Sequence, residues 1–589
     1  MRHTPIPFVA AAAFLCCGGA ARSADWLQFG YDAAHSGSNP DETTLSRENV
    51  ARLTRWYASI LAQPHIDVAP VYLGHADTVA GTVNLLFAVA EDGTLIASNA
   101  DTGSIIWSKQ TYTGDSCEAP PIQSAPAIDI RRGVVYSYGC DGRVHKYAIT
   151  GGTEILTQSW PQVATLKPWI ERGSSALAIS ADGRHLYSVT GSAGDADDYQ
   201  GHLTAINLDT GSQVVFNSMC SDLPIHFVAW GQPGVDDCDL RMSGIWGRPG
   251  ATSDPSTDRV YFTTGNGHFD ANMRGFDWGD SVLALNPDGS GAVTGDPVDS
   301  YTPTEYDFLE TADVDLGSVS LAIVPAPTGS VIPRVGLQTG KDGVLRLIDL
   351  DNMNGTGVAG GVGGEISTTP TPTGPTFTNA QPAVWTDTGG DGTIWVFVQS
   401  YSGISALKVV LDGANKPALQ PTWMHPDFFG SSTPVVANGV LYSGDINCSC
   451  IAAMDPHDGA VLWKSPPFQM RHWESPIVVD GSLFVSSAEY MLRFTLDDPP
   501  PMHVVTPIAS GAGGVLAPAT QQNVFDTGTI AFTPSVDESY ELLAIEGCGG
   551  SFDGRVYTTG SVTEDCTVTA TFALAADVIF RNGFEDSTP

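Results

Sequence analysis

The sequence predicts an all-β protein, an eight-bladed β-propeller followed by a small C-terminal β module. Three observations lead there. A phrase of two short strands joined by a Gly turn, closing on Ala-x-Asx, a second turn and an aromatic, recurs along most of the chain. The composition is turn-rich, with 64 Gly and 39 Pro, and only 16% of the residues are charged against 42% hydrophobic, a globular β profile rather than a disordered one. A Pro-rich break, DDPPPM at 497–502, then separates the repeats from a second segment of alternating, β-branched residues.

In chain order, residues 1–23 carry a short basic start, an apolar stretch and a small-residue exit, the pattern of a secretory signal. The stretch is too short for a membrane span, and no later run reaches ~18 apolar residues. The expected location is therefore secreted or periplasmic. The opening DWLQFGYDAAHSG precedes the first repeat, and it is expected to supply a closing strand to the last blade near Asp25–Tyr31.

The clearest repeats are LLFAVAEDGTLIASNADTGSIIW, ending at Trp107, and VLYSGDINCSCIAAMDPHDGAVLW, ending at Trp463. A small residue, Pro and an apolar residue precede several copies, as in Ala69-Pro70-Val71 and Thr433-Pro434-Val435; Pro suits the first residue of a strand, where its missing N–H matters least. Each unit reads as about four strands, one propeller blade, with eight copies between roughly residues 60 and 496. The repeated Trp and Gly residues are expected to dock one blade on the next. The propeller is assigned to 24–498 and the linker to 499–502. The module at 503–574 resembles the InlB-type B-repeat of secreted and surface proteins, on the phrases GCGG and DCTV, and a tail, 575–589, follows.

Eight cysteines remain after the signal. Neighbour pairing gives Cys117–Cys140, Cys220–Cys238, Cys448–Cys450 and Cys548–Cys566, in keeping with an oxidising compartment. Sixty-five acidic against 27 basic residues give a net charge of -38, which repels polyanions and sets nucleic acid aside as a partner. No GxxxxGK phosphate loop, CxxCH haem site or His metal spacing occurs.

The repeat phrase, the DWLQFGYDAAHSG opening and the count of eight units resemble the pyrroloquinoline-quinone (PQQ) dehydrogenases, across residues ~25–496. Within GIWGRPGATSDPSTDRVYFTTGNG, residues 244–267, the resemblance implies that Trp246 lies flat against the quinone and that the Asn266 side-chain oxygen binds calcium. Both roles are physically apt: an indole presents a flat, polarisable face, and a carbonyl oxygen is a hard ligand. Downstream, ADVDLGSVS and GLQTGKDG imply Asp315 as catalytic base and calcium ligand and Lys341 as the basic residue beside the quinone, with Asp307 in TPTEYDF competing for the base.

Other positions depart from the family. Where it carries a calcium Glu, GSAGDADDYQG at 191–201 offers Asp195, Asp197 and Asp198 and no Glu. The adjacent-cysteine ring of many relatives has no counterpart. The resemblance thus implies an enzyme using PQQ and calcium to oxidise a small alcohol or a polymer, passing electrons to an external cytochrome or quinone. The competing expectation is a non-catalytic propeller that binds a protein or polymer at the cell surface, since a fold does not fix a function.

Overall fold

The structure, a computed structural model, describes residues 25–575 apart from 61–64, 80, 111–120, 195–197, 236–237, 375–376, 431, 472–473, 489 and 499–500. The signal segment, Cys117, Asp195 and the tail beyond 575 lie outside the described residues.

The chain is almost wholly β. Eight antiparallel sheets follow one another between residues 38 and 495, seven of four strands and one with a fifth, parallel strand at Ser38–Asn39. The first is Val71–Thr78, Gly81–Val89, Thr94–Asn99 and Ile105–Gln110, paired in sequence order. The innermost strand is the first of the antiparallel four in every sheet but the last, where it is Ile477–Val479. Hydrogen bonds tie each sheet to the next near the axis: Thr252 Oγ1 donates to Leu321 O, and Ser486 Oγ, on the second strand of the last sheet, donates to Val68 O just before the first. The result is a ring, a β-propeller.

Trp side chains on the outer strands join neighbouring sheets. Trp107 Nε1 donates to Ile149 O, Trp423 Nε1 to Pro456 O, Trp463 Nε1 to Leu53 O and Trp56 Nε1 to Asp101 O. The repeat aromatic therefore docks blades, by burying its ring and satisfying its one donor on the next blade's turn.

The ring is closed by a strand other than the one expected from sequence. Thr54–Ile60 is the outer strand of the last sheet, antiparallel to Tyr490–Thr495. Asp25–Tyr31 does not pair there. Instead residues 26–39 thread past the innermost strands of seven sheets. Trp26 exchanges two backbone hydrogen bonds with Tyr72 at 2.9 and 2.8 Å. Leu27 O, Ala33 O, Ser36 O and Gly37 O accept from Ile128, Ser253, Val384 and Val436 N–H, each at 2.8 Å. Gln28 Oε1 accepts from Ile179 N and Asn39 Nδ2 donates to Val478 O. The reason is that the innermost strands carry unpaired backbone groups at the axis, and this segment satisfies them.

Beyond the propeller, Met502–Ser510 pairs in parallel with Cys566–Leu574 in one four-stranded sheet. A second sheet is built on Gly514–Ala517, Ala531–Val536, Ser551–Phe552 and Tyr557–Thr558. Their own core includes Val505, Leu516, Phe532, Tyr557 and Phe572. The module also touches the propeller: Ile105 N–H donates to Gln522 Oε1 at 2.8 Å, and Trp56 meets Phe525 edge-on at 5.9 Å. Disulfides join Cys220–Cys238, Cys448–Cys450 and Cys548–Cys566. Among the described residues no helix is long and apolar enough to cross a membrane.

Candidate functional site

Two kinds of connection meet on one face of the ring: the links from the outer strand of one sheet to the inner strand of the next, and the turns between second and third strands. The first kind brings Gln123, Arg172 and Ser174, then Arg241, Trp246 and Arg248, and then Glu310, Asp313 and Asp315; the second brings Ser192, Gly194, Tyr199, Asn266 and Lys341. All of these line a single cavity of about 680 Å³, within the range of small-molecule sites, ~300–1,000 Å³. Its floor includes Gln123 and Arg248, which also border a small void over Phe29 of the axial segment.

Trp246, Asn266, Asp315 and Lys341, drawn from four connections of the ring, all line this cavity. Lys341 Nζ pairs with the Asp315 carboxylate, stands 3.3 Å from Asp313 Oδ1 and lies 5.3 Å over the centre of the Trp246 ring. Asp315 Oδ1 accepts the Asn266 backbone N–H at 2.9 Å, and Asp315 O accepts Lys341 N–H at 3.0 Å. Asn266 Nδ2 donates to Asp313 Oδ1 at 2.9 Å, which leaves Asn266 Oδ1, buried, without a hydrogen-bond partner. Buried acceptors are nearly always satisfied, so Asn266 Oδ1 has a lone pair to offer a group bound in the cavity.

Local backbone explains the approach. A Cβ built on Gly265 would overlap Asp315 Oδ1 and stand 3.1 Å from Trp246 Nε1. Only glycine lets the 265–266 turn pass beneath both. Behind it, Asp280 Oδ1 accepts Leu316 N–H at 2.9 Å and so anchors the turn that carries Asp315.

The electrostatics divide along the lining. Burial works against the Lys341 charge, but the Asp315 and Asp313 carboxylates outweigh it and hold its pKa above the ordinary lysine value. Burial, with Asp315 and Asp313 adding to it, pushes the Glu310 carboxyl up, while the Gly267 N–H pulls it down. Burial also pushes Asp280 well above the usual carboxylate range. Arg172, Arg241 and Arg248 add cationic lining in a chain of net charge -38.

Two expectations are corrected. Asp307 sits exposed in the first turn of the helix Tyr306–Ala312 and does not line the cavity; the turn after the helix, not its start, faces inward. Asp198 is buried but turned away, since its Oδ2 accepts Trp230 N–H at 2.9 Å and its carbonyl accepts Lys167 Nζ at 2.8 Å. Asp195 and Asp197 lie outside the described residues. Sequence reasoning missed Glu310, Asp313 and the three arginines; the acid-rich run FLETADVD was the available signal for the first two.

The comparisons agree with the fold. A family model described as outer membrane protein assembly factor BamB matches residues 38–221. No curated protein matches the chain. Among solved structures, a quinohemoprotein alcohol dehydrogenase, ADHIIG, from Pseudomonas putida HK5 superposes with a TM-score of 0.56 at 16% identity, covering 83% of this chain and 84% of that one. A europium-containing methanol dehydrogenase gives 0.55 at 15% identity, over 78% and 89%. The quinohemoprotein alcohol dehydrogenase of Comamonas testosteroni gives 0.53 at 15%, over 82% of each. The chain is thus a propeller resembling those of the PQQ-dependent dehydrogenases.

Proposed function

We propose that this propeller is a PQQ- and calcium-dependent dehydrogenase that oxidises an alcohol or polyol outside the cytoplasm. The observation that carries the reading is the meeting of Trp246, Asn266, Asp315 and Lys341 in one cavity, although they span 96 positions of sequence. Unrelated blade-docking residues would scatter among the interfaces.

The lining fits the groups the reading requires. The indole face of Trp246 suits a flat tricycle, and the three arginines suit an anionic one. The unpartnered Asn266 Oδ1 suits a hard cation. When bound, the quinone and its calcium supply the hydride acceptor and a Lewis acid. The chain's own part is proton handling and orientation. Asp315 accepts the hydroxyl proton, and the Asn266 N–H and Lys341 fix the direction in which its oxygens point. Lys341 also brings positive charge over the Trp246 ring, where negative charge on a stacked ligand would be stabilised. Electrons leave to an external cytochrome or quinone, and the disulfides among the described residues suit a secreted or periplasmic setting.

One observation favours a second reading, a non-catalytic propeller that binds a protein or polymer: the matching family model describes an assembly factor. Asp315→Asn separates the two. Under the enzyme reading, the variant keeps quinone through desalting and loses turnover by roughly 10²-fold or more, whereas Trp246→Ala loses the quinone. Turnover undiminished in Asp315→Asn removes the base from the mechanism.

A further inference from the structure

We propose that Glu310 is the anionic ligand of the cation that Asn266 binds, in the place where the sequence offered Asp195, Asp197 or Asp198. Among the described residues, five oxygens of the cavity lining are buried and without a hydrogen-bond partner, on Gln123, Ser174, Ser192, Asn266 and Glu310, and of these Glu310 Oε2 alone belongs to a carboxylate, with Asn266 Oδ1 the amide oxygen the dehydrogenase reading assigns to the cation. Asn266 and Glu310 come from separate elements, the turn after Val260–Thr263 and the helix Tyr306–Ala312. Asn266 is 5% exposed, and its amide nitrogen is committed to Asp313, so the orphaned oxygen is not an arbitrary choice of orientation.

An amide carbonyl and a carboxylate left unpartnered in one cavity suit a hard cation, because each can give a lone pair to the metal and neither can satisfy the other. Charge points the same way. Lys341 answers Asp315 and Asp313, and Glu310 forms no ion pair among the described residues. A partly buried carboxylate without an ion-pair partner is costly, and a divalent ion removes that cost. Asp198 cannot compete for the role, because its oxygens face Trp230 and Lys167. The side chain's role is therefore to make the site anionic enough to hold calcium against water.

This rests on the dehydrogenase reading only in taking the cavity as the cofactor site, and the test is run without quinone. Calcium is titrated calorimetrically into the chelator-stripped full chain. The expected result is one calcium site in the parent. Glu310→Gln and Asn266→Ala each weaken it by roughly tenfold or more, and Asp307→Asn, on the same helix but exposed, leaves it unchanged. Melting without calcium monitors folding. If Glu310→Gln fails to fold, Glu310→Asp replaces it, and it too is expected to weaken calcium because the reach is shortened. Calcium affinity in Glu310→Gln or Glu310→Asp within twofold of the parent, or no calcium binding by the parent, overturns the proposal. Quinone retention at saturating calcium is read separately in the parent, and its failure would sink the dehydrogenase reading while leaving the calcium result in place.

Discussion

Gly265→Ala adds one methyl group at the point where the site is most tightly built. The new Cβ would overlap Asp315 Oδ1, stand 3.1 Å from Trp246 Nε1 and lie 3.3 Å from Gly244 O. The overlapped atom is the end of a side chain, so the carboxylate turns away rather than the backbone yielding. Turning breaks the 2.9 Å hydrogen bond from Asn266 N–H, a charge-assisted bond whose loss costs ~1.5–3 kcal/mol, and mild overpacking adds to it. A stability loss of roughly 2–3 kcal/mol is expected, small enough for the propeller to fold. The functional loss should be larger in proportion. A base misplaced by about 1 Å can cost ~10²-fold in rate, so turnover with PQQ, calcium and an alcohol should fall by about that factor while quinone is still retained. Thermal melting and dye reduction on the same preparation read both numbers. Parental turnover and melting in Gly265→Ala would mean that Asp315 is not held where the mechanism needs it.

Two further outcomes are expected. Truncation after Asp498 removes Gln522 from Ile105 N–H and uncovers Trp56, so the propeller should melt a few degrees lower, about 1–4 °C; an unchanged melting temperature would mean these contacts contribute nothing, and a collapse would make the module integral to the ring. His145 is buried between Glu154 at 2.7 Å and Asp141 at 3.0 Å; burial alone would lower its pKa, but the two carboxylates outweigh that and raise it. Its contribution is then complete below its unfolded value of about 6.5 and lost as pH rises through the higher folded value. His145→Gln should melt below the parent at pH ~6, with the gap closing by pH ~9; a gap that widens with pH would reverse the sign of the argument.

The blades were legible because each is local: strand, turn and aromatic lie within some 25 residues, and the same aromatic meets the next blade's turn at Trp107, Trp423 and Trp463. Ring closure was not, because Thr54–Ile60 pairs with residues more than 400 positions away, and nothing local distinguishes it from the 25–31 segment that runs along the axis instead. At the site, Trp246, Asn266, Asp315 and Lys341 could be named because they stand in phrases with a family pattern. Glu310 and the arginines could not, since their meeting depends on which connections share a face of the ring. Asp307 drew attention through the phrase around it, and a single helical turn carried it to the surface.

The most direct measurement is reconstitution of the purified chain with PQQ and calcium, followed by desalting and absorbance, with dye reduction over an alcohol panel. The account predicts that quinone stays with the parent chain in a one-to-one ratio, is lost from Trp246→Ala and supports alcohol-dependent reduction. Quinone that elutes freely from the parent chain at saturating calcium would contradict it and leave a propeller whose cavity serves binding alone.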